Sequence, residues 1–407
     1  VELASLEVVA EEQLMDRSPA PLPVEDVEAS LRPFGHSRML PRTAYVDPAV
    51  LAWEREHLFD GGWVCAGRLD DLAEPRAQKA VRIGATGVLL TKDDRGAIHA
   101  FANICRHRGH ELLACGASTV RGVVQCPYHA WSYELDGSLR LAPHFGDVPN
   151  FDREVMGLLE MAHAEWGGWV FVNVDGRAGP FEDHLGALGE LVAPWGCERL
   201  VPGATHHYEL QANWKIAIEN YHECYHCPLI HPELCRVSPS DSGDNIDDLP
   251  GAWVGGDMEL AERAETMSLD GRSGGSVLPG LDERRRRQVL YLNLFPNLLL
   301  SLHPDYVMTH RIEPLTPTTS AVECQWLFPP DALEQPGFDP SYAVDFWDLT
   351  NRQDWAAVES VQRGMASPRF VPGLLSTDED AVYHFVTMVA GAYLGRSLAR
   401  GTVSRSS

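Results

Sequence analysis

The 407-residue chain has no uninterrupted apolar stretch of the roughly 20 residues that a membrane-spanning helix requires, so no transmembrane segment is expected. Its first residues, VELASLEVVAEEQLMDRSPAPLP, lack the basic start and apolar run of a secretion signal, and the expectation is a soluble, cytoplasmic protein. Positive charge is in deficit: 33 Lys and Arg stand against 58 Asp and Glu, a formal net charge of −25. With no basic stripe to meet phosphates, nucleic-acid binding is not expected. The one basic run, Arg284 to Arg287, follows Asp282 and Glu283 and reads as a solvated face or a protein contact. No internal repeat stands out. Nine cysteines, an odd number, do not describe a disulfide scaffold and point to a reducing compartment.

Apolar residues at 44% and eleven tryptophans are ample for sizeable cores, and the length calls for two domains. The strongest chemical signal is a pair of short motifs, Cys105-x-His107 and Cys126-x-x-His129. Two thiolates and two imidazoles are the ligand set of a Rieske [2Fe–2S] cluster. The cysteines hold one iron and the histidines the other, which raises the reduction potential above that of an all-cysteine cluster. Gly109 permits a tight turn after the first pair and Pro127 stiffens the second. Zinc also accepts Cys2His2, but zinc fingers pair Cys with Cys and His with His, whereas each half here carries one of each. Cys115 and His110 fall outside both pairs and are read as non-ligands.

Along the chain, residues 1–39 read as an acidic, proline-bearing arm and residues 40–175 as a small antiparallel-β domain. A short helix is expected between 45 and 60, then strands in GWVCAGR, KAVRIG, TGVLLTKDDRG, AIHAFAN and WGGWVFVNV, with turns at Asp94-Arg95-Gly96 and Asp136-Gly137. Residues 176–395 form the second domain and 396–407 a tail. ATHHYELQANWKIAIENYHECYHCPLIHP runs from a strand into a helix that Pro228 and Pro232 disrupt. Residues 238–282 read as a long Ser-, Asp- and Gly-rich excursion. Strands return in VLYLNLFPNLLLSLHP, DYVMTHRIEPL and SAVECQWLFP, followed by helical regions at 346–365 and 378–394. This order describes an α+β second domain.

A second metal site is sought around Glu223-Cys224-Tyr225-His226-Cys227-Pro228-Leu229-Ile230-His231. His226 and His231 do not align on a regular helix, but a break at Pro228 turns them toward one point. Two imidazoles and one carboxylate with open positions make the facial site of a non-haem Fe(II) oxygenase. Asp354 is the chosen carboxylate, on a helix face expected to continue inward through Val358 and Val361. Other readings remain open at this point: His222 as a ligand, Glu323 or Glu359 in place of Asp354, and Cys224, Cys227 and Cys235 as part of a zinc knuckle. His303, Tyr306 and His310 are placed either at a cavity or in the core.

Over residues 45–393 the chain resembles the catalytic α subunit of the Rieske non-haem iron oxygenases, the aromatic-ring-hydroxylating family. The NWK…ENYHECYHCPLIHPE arrangement is most similar to the branch that oxidises glycine betaine, carnitine, choline and stachydrine. The resemblance implies that Cys105, His107, Cys126 and His129 hold the cluster and that His226, His231 and Asp354 hold the mononuclear iron. It implies a helix-grip (START/Bet v1-like) catalytic domain and a homotrimer. Electrons would cross between subunits through Glu223, placed between His129 of one subunit and His226 of the next. They would come from NAD(P)H through a separate flavin/iron–sulfur reductase or a ferredoxin. The implied function is hydroxylation of a small substrate with O2, as N-demethylation of a quaternary ammonium or N-methyl compound. The alternatives are aromatic hydroxylation or cis-dihydroxylation, and a Rieske electron carrier without oxygenase activity.

Overall fold

The structure, a computed structural model, describes residues 18–401 except 248 and 399. The arm expected over 1–39 and the tail over 396–407 thus lie partly outside the described residues. Contacts divide the chain into two compact units. One is Arg55–Phe181; the other joins the described chain up to Glu54 with that from Glu182 onward.

The Arg55–Phe181 unit is built from short antiparallel strands. They are β1 (Val64–Arg68), β2 (Ala77–Ile83), β3 (Thr86–Lys92), β4 (Ile98–Ala102), β5 (Ser118–Val120), β6 (Val124–Gln125), β7 (Ser132–Tyr133), β8 (Leu139–Leu141), β9 (Ala162–Trp166) and β10 (Trp169–Asn173). Three small sheets result, in the orders β1-β10-β9, β4-β3-β2-β5 and β6-β7-β8. The last is only as long as its hairpins allow, and it carries loop tips rather than a broad face. Leu89, Phe101, Leu112, Val124, Trp131 and Tyr133 form a core in which Cys105 and Cys126 are also buried. The Asp136-Gly137 turn needs glycine. Gly137 has φ +84°, and a Cβ there would lie 2.5 Å from the Phe101 ring.

In the other unit, helix α1 (Pro48–Glu54) precedes β11 (Val201–Leu210) and α2 (Trp214–Tyr221). Asn213 caps α2 by accepting the Lys215 backbone N–H at 3.0 Å, an arrangement worth about 1 kcal/mol. All but two of the α2 residues are buried, Lys215 among them, and its ammonium meets Glu54 at 2.6 Å with both side chains fully enclosed. Trp214 Nε1 donates to the same carboxylate at 2.9 Å. A buried charge survives only with such partners, and removing one partner typically costs about 3–5 kcal/mol.

The remaining strands are β12 (Asp244–Asn245), β13 (Trp253–Glu259), β14 (Gln288–Leu294), β15 (Leu298–Leu302), β16 (Val307–Thr316) and β17 (Thr319–Phe328). With β11 they form a seven-stranded antiparallel sheet ordered β11-β17-β16-β15-β14-β13-β12. Among the described residues no pairing joins its two edges, and β12 is only two residues long, too short to supply a closing ladder. The helix-grip expectation is therefore corrected: the chain is α+β, with small antiparallel sheets and one large open sheet, not a sheet closed around a helix. Helices α3 (Ser341–Met365) and α4 (Asp380–Tyr393) complete the unit. None of the described helices is long and apolar enough to cross a membrane.

The 238–282 excursion is tied down rather than free. It contributes β13 to the sheet. Arg287 donates to the carbonyls of Leu260, Ala261 and Ala264, and Asp305 accepts from Thr266 and Ser273 at 2.5 Å each. The solvated-face reading of the basic run fails for Arg287, whose guanidinium satisfies loop carbonyls that have no ladder partner.

Candidate metal centres and an adjoining cavity

In the Arg55–Phe181 unit the turn after β4 and the turn between β6 and β7 bring the two Cys–His pairs together. Burial raises the Cys105 thiol pKa, the Tyr133 hydroxyl and the His107 backbone N–H favour its thiolate, and neighbouring Cys126 opposes it. The Tyr133 hydroxyl stands 3.4 Å from Cys105 Sγ and accepts the Arg106 backbone N–H at 3.0 Å. The rings of His107 and His129 lie 4.6 Å apart, and His107 stacks on Trp131 at 5.1 Å. His107 Nδ1 is buried with no hydrogen-bond partner. A buried, unmatched ring nitrogen beside two enclosed thiols fits the donor set of a [2Fe–2S] cluster. Neither outsider belongs to this group: Cys115 Sγ points to the Val81 carbonyl at 3.7 Å, and His110 is exposed beside the Glu111 carbonyl.

The second centre draws on two distant parts of the chain. Helix α2 ends at Tyr221, and a short turn (Cys227–Ile230) holding Pro228 swings His231 back toward His226. Asp354 comes from α3, whose residues Trp347, Thr350, Asn351, Asp354 and Trp355 share one face at helical spacing. That face continues through buried Val358, whereas Val361 is 44% exposed, which corrects the expectation for it; Gln362 and Met365 are the buried residues of the last turn.

His226 Nε2 and His231 Nε2 are 3.2 Å apart, and Asp354 Oδ1 lies 3.3 Å from the first and 2.8 Å from the second. Two metal bonds of about 2.1 Å at right angles place their donor atoms about 3 Å apart, so the triad has the spacing of one face of a coordination octahedron. Outer partners aim the rings. His231 Nδ1 donates to Gln353 Oε1 at 2.7 Å, and His226 Nδ1 meets Glu223 Oε1, so both rings present Nε2 inward. Glu223 Oε2 also accepts the His226 backbone N–H at 3.1 Å. Among the described residues this is the one group of three or more such side chains gathered closely enough to hold a metal ion. Burial disfavours charge on His226, but Asp354 and Glu223 outweigh it and raise its pKa to about 9.

The competing candidates are engaged elsewhere. His222 is buried outside the triad, with burial driving its pKa down to about 3. Glu323 pairs with Arg311 at 3.2 Å, and Glu359 accepts the Gln211 backbone N–H at 3.1 Å. Cys224 and Cys227 form a disulfide and Cys235 is a free thiol, which removes the zinc-knuckle reading. The disulfide also departs from the reading of the cysteines as uniformly reduced; the other seven are free.

A cavity of about 870 Å³ opens onto the triad. Its wall includes Tyr221, Tyr291, Trp347 and Trp355, none of which the sequence singled out. Tyr221 and Tyr291 have ring centroids 5.9 Å apart, and Tyr291 and Trp347 are 6.2 Å apart. The helical stripe of α3 was the one available signal for Trp347 and Trp355. His310 lines the cavity, whereas His303 and Tyr306 are stacked at 4.0 Å in the core.

Comparison with known proteins follows the same division. The ring hydroxylating alpha subunit (catalytic domain) family matches residues 197–395, and the Rieske [2Fe-2S] domain family matches residues 62–152. The oxygenase subunit of glycine betaine monooxygenase from Chromohalobacter salexigens is 31% identical over 388 residues, covering 88% of this chain and 86% of that protein. The oxygenase subunit of carnitine monooxygenase from Escherichia coli (strain K12) is 35% identical over 196 residues, 47% of this chain and 52% of that protein. A solved quaternary ammonium Rieske monooxygenase, described for carnitine oxidation and inter-subunit electron transfer, superposes with a TM-score of 0.76 at 25% identity. The match covers 92% of this chain and 100% of that one.

Proposed function

This chain belongs to the Rieske non-haem iron oxygenases, oxidoreductases with a Rieske [2Fe–2S] cluster and a mononuclear iron, and we propose that it N-demethylates a quaternary ammonium or N-methyl compound. One observation carries the substrate reading: the cavity that opens onto the triad is walled by Tyr221, Tyr291, Trp347 and Trp355. Aromatic faces attract a quaternary ammonium through their quadrupoles, more strongly when water is excluded. Seated there, the cation turns an N-methyl carbon toward His226, His231 and Asp354.

Cys105, His107, Cys126 and His129 would hold the cluster, within the Arg55–Phe181 unit, which trims the expected 40–175 at its start. His226, His231 and Asp354 hold the iron, within residues 176–395. When bound, the two groups supply stored single electrons and O2 activation. The protein supplies the rest. Glu223 and Gln353 fix the ring orientations of His226 and His231, Tyr133 steadies Cys105, and the aromatic wall sets which carbon faces the reaction. Once the methyl carbon carries a hydroxyl, loss of the O–H proton lets the C–N electron pair return to nitrogen, releasing formaldehyde and the demethylated amine.

The active form is a homotrimer in which Glu223 joins His226 of one subunit to the neighbouring subunit's cluster at His129. Tyr225 and Leu229 support this reading: they flank His226 and are 64% and 91% exposed, apolar surface that a subunit contact would cover. A separate reductase or ferredoxin delivers NAD(P)H-derived electrons, and the cytoplasm is the compartment that supplies them. The test incubates the purified holoenzyme and a surrogate reductase with betaines, N-methylated amines and simple arenes, reading formaldehyde and product mass. Formaldehyde from a quaternary ammonium compound is expected. A cis-dihydrodiol from an arene, with no turnover of any N-methyl compound, would overturn the assignment.

A further inference from the structure

Resting on the reading of His226, His231 and Asp354 as iron ligands, we infer that Cys224 and Cys227 are a reversible thiol switch on the iron centre. Its reactants are a low-molecular-weight thiol and the disulfide of that thiol. Closed, the pair holds the iron; opened, it lets the iron leave more readily. The two cysteines stand three residues apart and are joined by a disulfide, while the other seven are free. A disulfide in surroundings that keep other thiols reduced is usually transient, catalytic or redox-sensing rather than a permanent staple. Its position says what this one governs. His226 lies inside the ring that the bond closes. Glu223, which meets His226 Nδ1 and accepts its backbone N–H at 3.1 Å, stands directly before Cys224. His231 hangs from the other end, its N–H donating to the Cys227 carbonyl at 2.8 Å. One covalent bond thus ties the arm that aims the first imidazole to the residue that holds the backbone of the second.

The two ends of the bond are anchored unequally. Cys227 is buried in a core cluster with Leu234, Trp326 and Trp347, whereas Cys224 is half-buried and packs against that cluster from its edge. Opening the bond therefore loosens the Glu223–His226 arm and leaves the Cys227–His231 side in place. The backbone bond from the Cys227 N–H to the Cys224 carbonyl, at 3.2 Å, then has to hold the turn without its covalent partner. Both cysteines line the cavity, and Cys224 is the more exposed of the two, so the thiol enters by that route. Its thiolate attacks Cys224 Sγ, the S–S bond breaks, and Cys227 leaves as a thiolate that takes up a proton. A second thiol attacks the small-molecule sulfur of the mixed disulfide and expels Cys224, which is protonated in turn. The protein gains two electrons and two protons, and the two small thiols leave as their own disulfide. The same exchange run backward closes the switch.

Glutathione is the probe. Holoenzyme purified without thiols is expected to show Cys224 linked to Cys227 when alkylated and mapped by peptide mass. Reduced glutathione is expected to open that bond with the cluster absorption unchanged. After removal of the glutathione, the opened holoenzyme is expected to release its mononuclear iron to a ferrous chelator about tenfold faster than the closed form, the lower end of what losing support around a metal ligand costs. Oxidised glutathione is expected to restore the slow release. A Cys224→Ser, Cys227→Ser double variant, which cannot close, is expected to release iron at the fast rate under both treatments. Equal release from the opened and closed forms, slow release from the double variant, or a bond that neither opens nor closes in glutathione would overturn the switch and leave the iron ligands standing. Holoenzyme with no iron beyond the two of the cluster would overturn both.

Discussion

The two metal-binding regions are built on opposite plans. The proposed cluster ligands Cys105, His107, Cys126 and His129 sit in one short stretch of chain, the first pair on the turn after β4 and the second on the turn between the two-residue strands β6 and β7. The proposed iron ligands come from two distant segments, with His231 and Asp354 separated by 123 residues, and they meet only because a helix break and one face of α3 converge. None of the first region's four residues lines the cavity at the triad, and His107 packs against Trp131 and Phe145. The second opens onto about 870 Å³ of space. An electron store needs rigid ligands near a surface, whereas an oxygen-activating centre needs room for a substrate, so the contrast in construction follows the division of labour.

Removing one ligand from each region breaks the comparison most severely. Cys126→Ser is expected to abolish the cluster's visible absorption and leave about one iron per chain. Asp354→Ala is expected to keep that absorption, lose the mononuclear iron, and lower turnover at least a thousandfold. Metal and sulfide analysis of both variants checks this, and full turnover by Asp354→Ala would reject the third ligand. Next comes Glu223→Gln, which keeps the shape but removes the charge beside His226. Outer partners of metal ligands are commonly worth about 10–100-fold, so oxidation of the reduced cluster by substrate and O2 is expected to slow by that order with both metals retained. Stopped-flow spectra read this, and an unchanged rate would remove Glu223 from the electron path.

The iron-free His226 provides a milder test through pH. Asp354 and Glu223 raise its pKa to about 9 against the effect of burial, so below that pH iron must displace a proton to bind. Affinity for Fe(II) is therefore expected to rise with pH toward 9 and level off above it, by at most about tenfold per unit for this one proton. Anaerobic titration of the iron-free protein between pH 6 and 9 measures the slope. The smallest effect is that of Trp347→Leu. Loss of one aromatic face costs about 0.5–2 kcal/mol of cation binding, a rise in KM of about 2- to 30-fold, with the cluster spectrum untouched.

The same contrast explains what could be read from sequence. The cluster motif is local, and short apolar runs between turn signals, such as those of β3 and β16, carry their own signature, so both are visible without a fold. Asp354 was reachable because a helical face running on to Val358 marked it as inward, although Val361, read onto the same face, is exposed. β13 escaped notice because Gly255 and Gly256 dilute its strand pattern. Those glycines are required where backbones approach closely: a Cβ on Gly255 would lie 2.0 Å from the Tyr291 carbonyl oxygen. The closed sheet failed as an expectation because pairing between distant edges depends on strand lengths, and β12 contributes two residues. Tyr291 shows the same limit. Nothing local distinguishes it from a core tyrosine, and only the sheet places it at the cavity.

Reconstitution from two crippled chains tests most directly whether the regions serve one reaction across a subunit boundary. Chains carrying Cys126→Ser are mixed with chains carrying Asp354→Ala, unfolded or dissociated, reassembled, and assayed for formaldehyde release with a surrogate reductase. Each variant alone is expected to be inactive, and the mixture to regain a substantial fraction of wild-type turnover, since intact clusters then neighbour intact iron sites. A mixture containing mixed trimers yet as inactive as its parents would contradict the account.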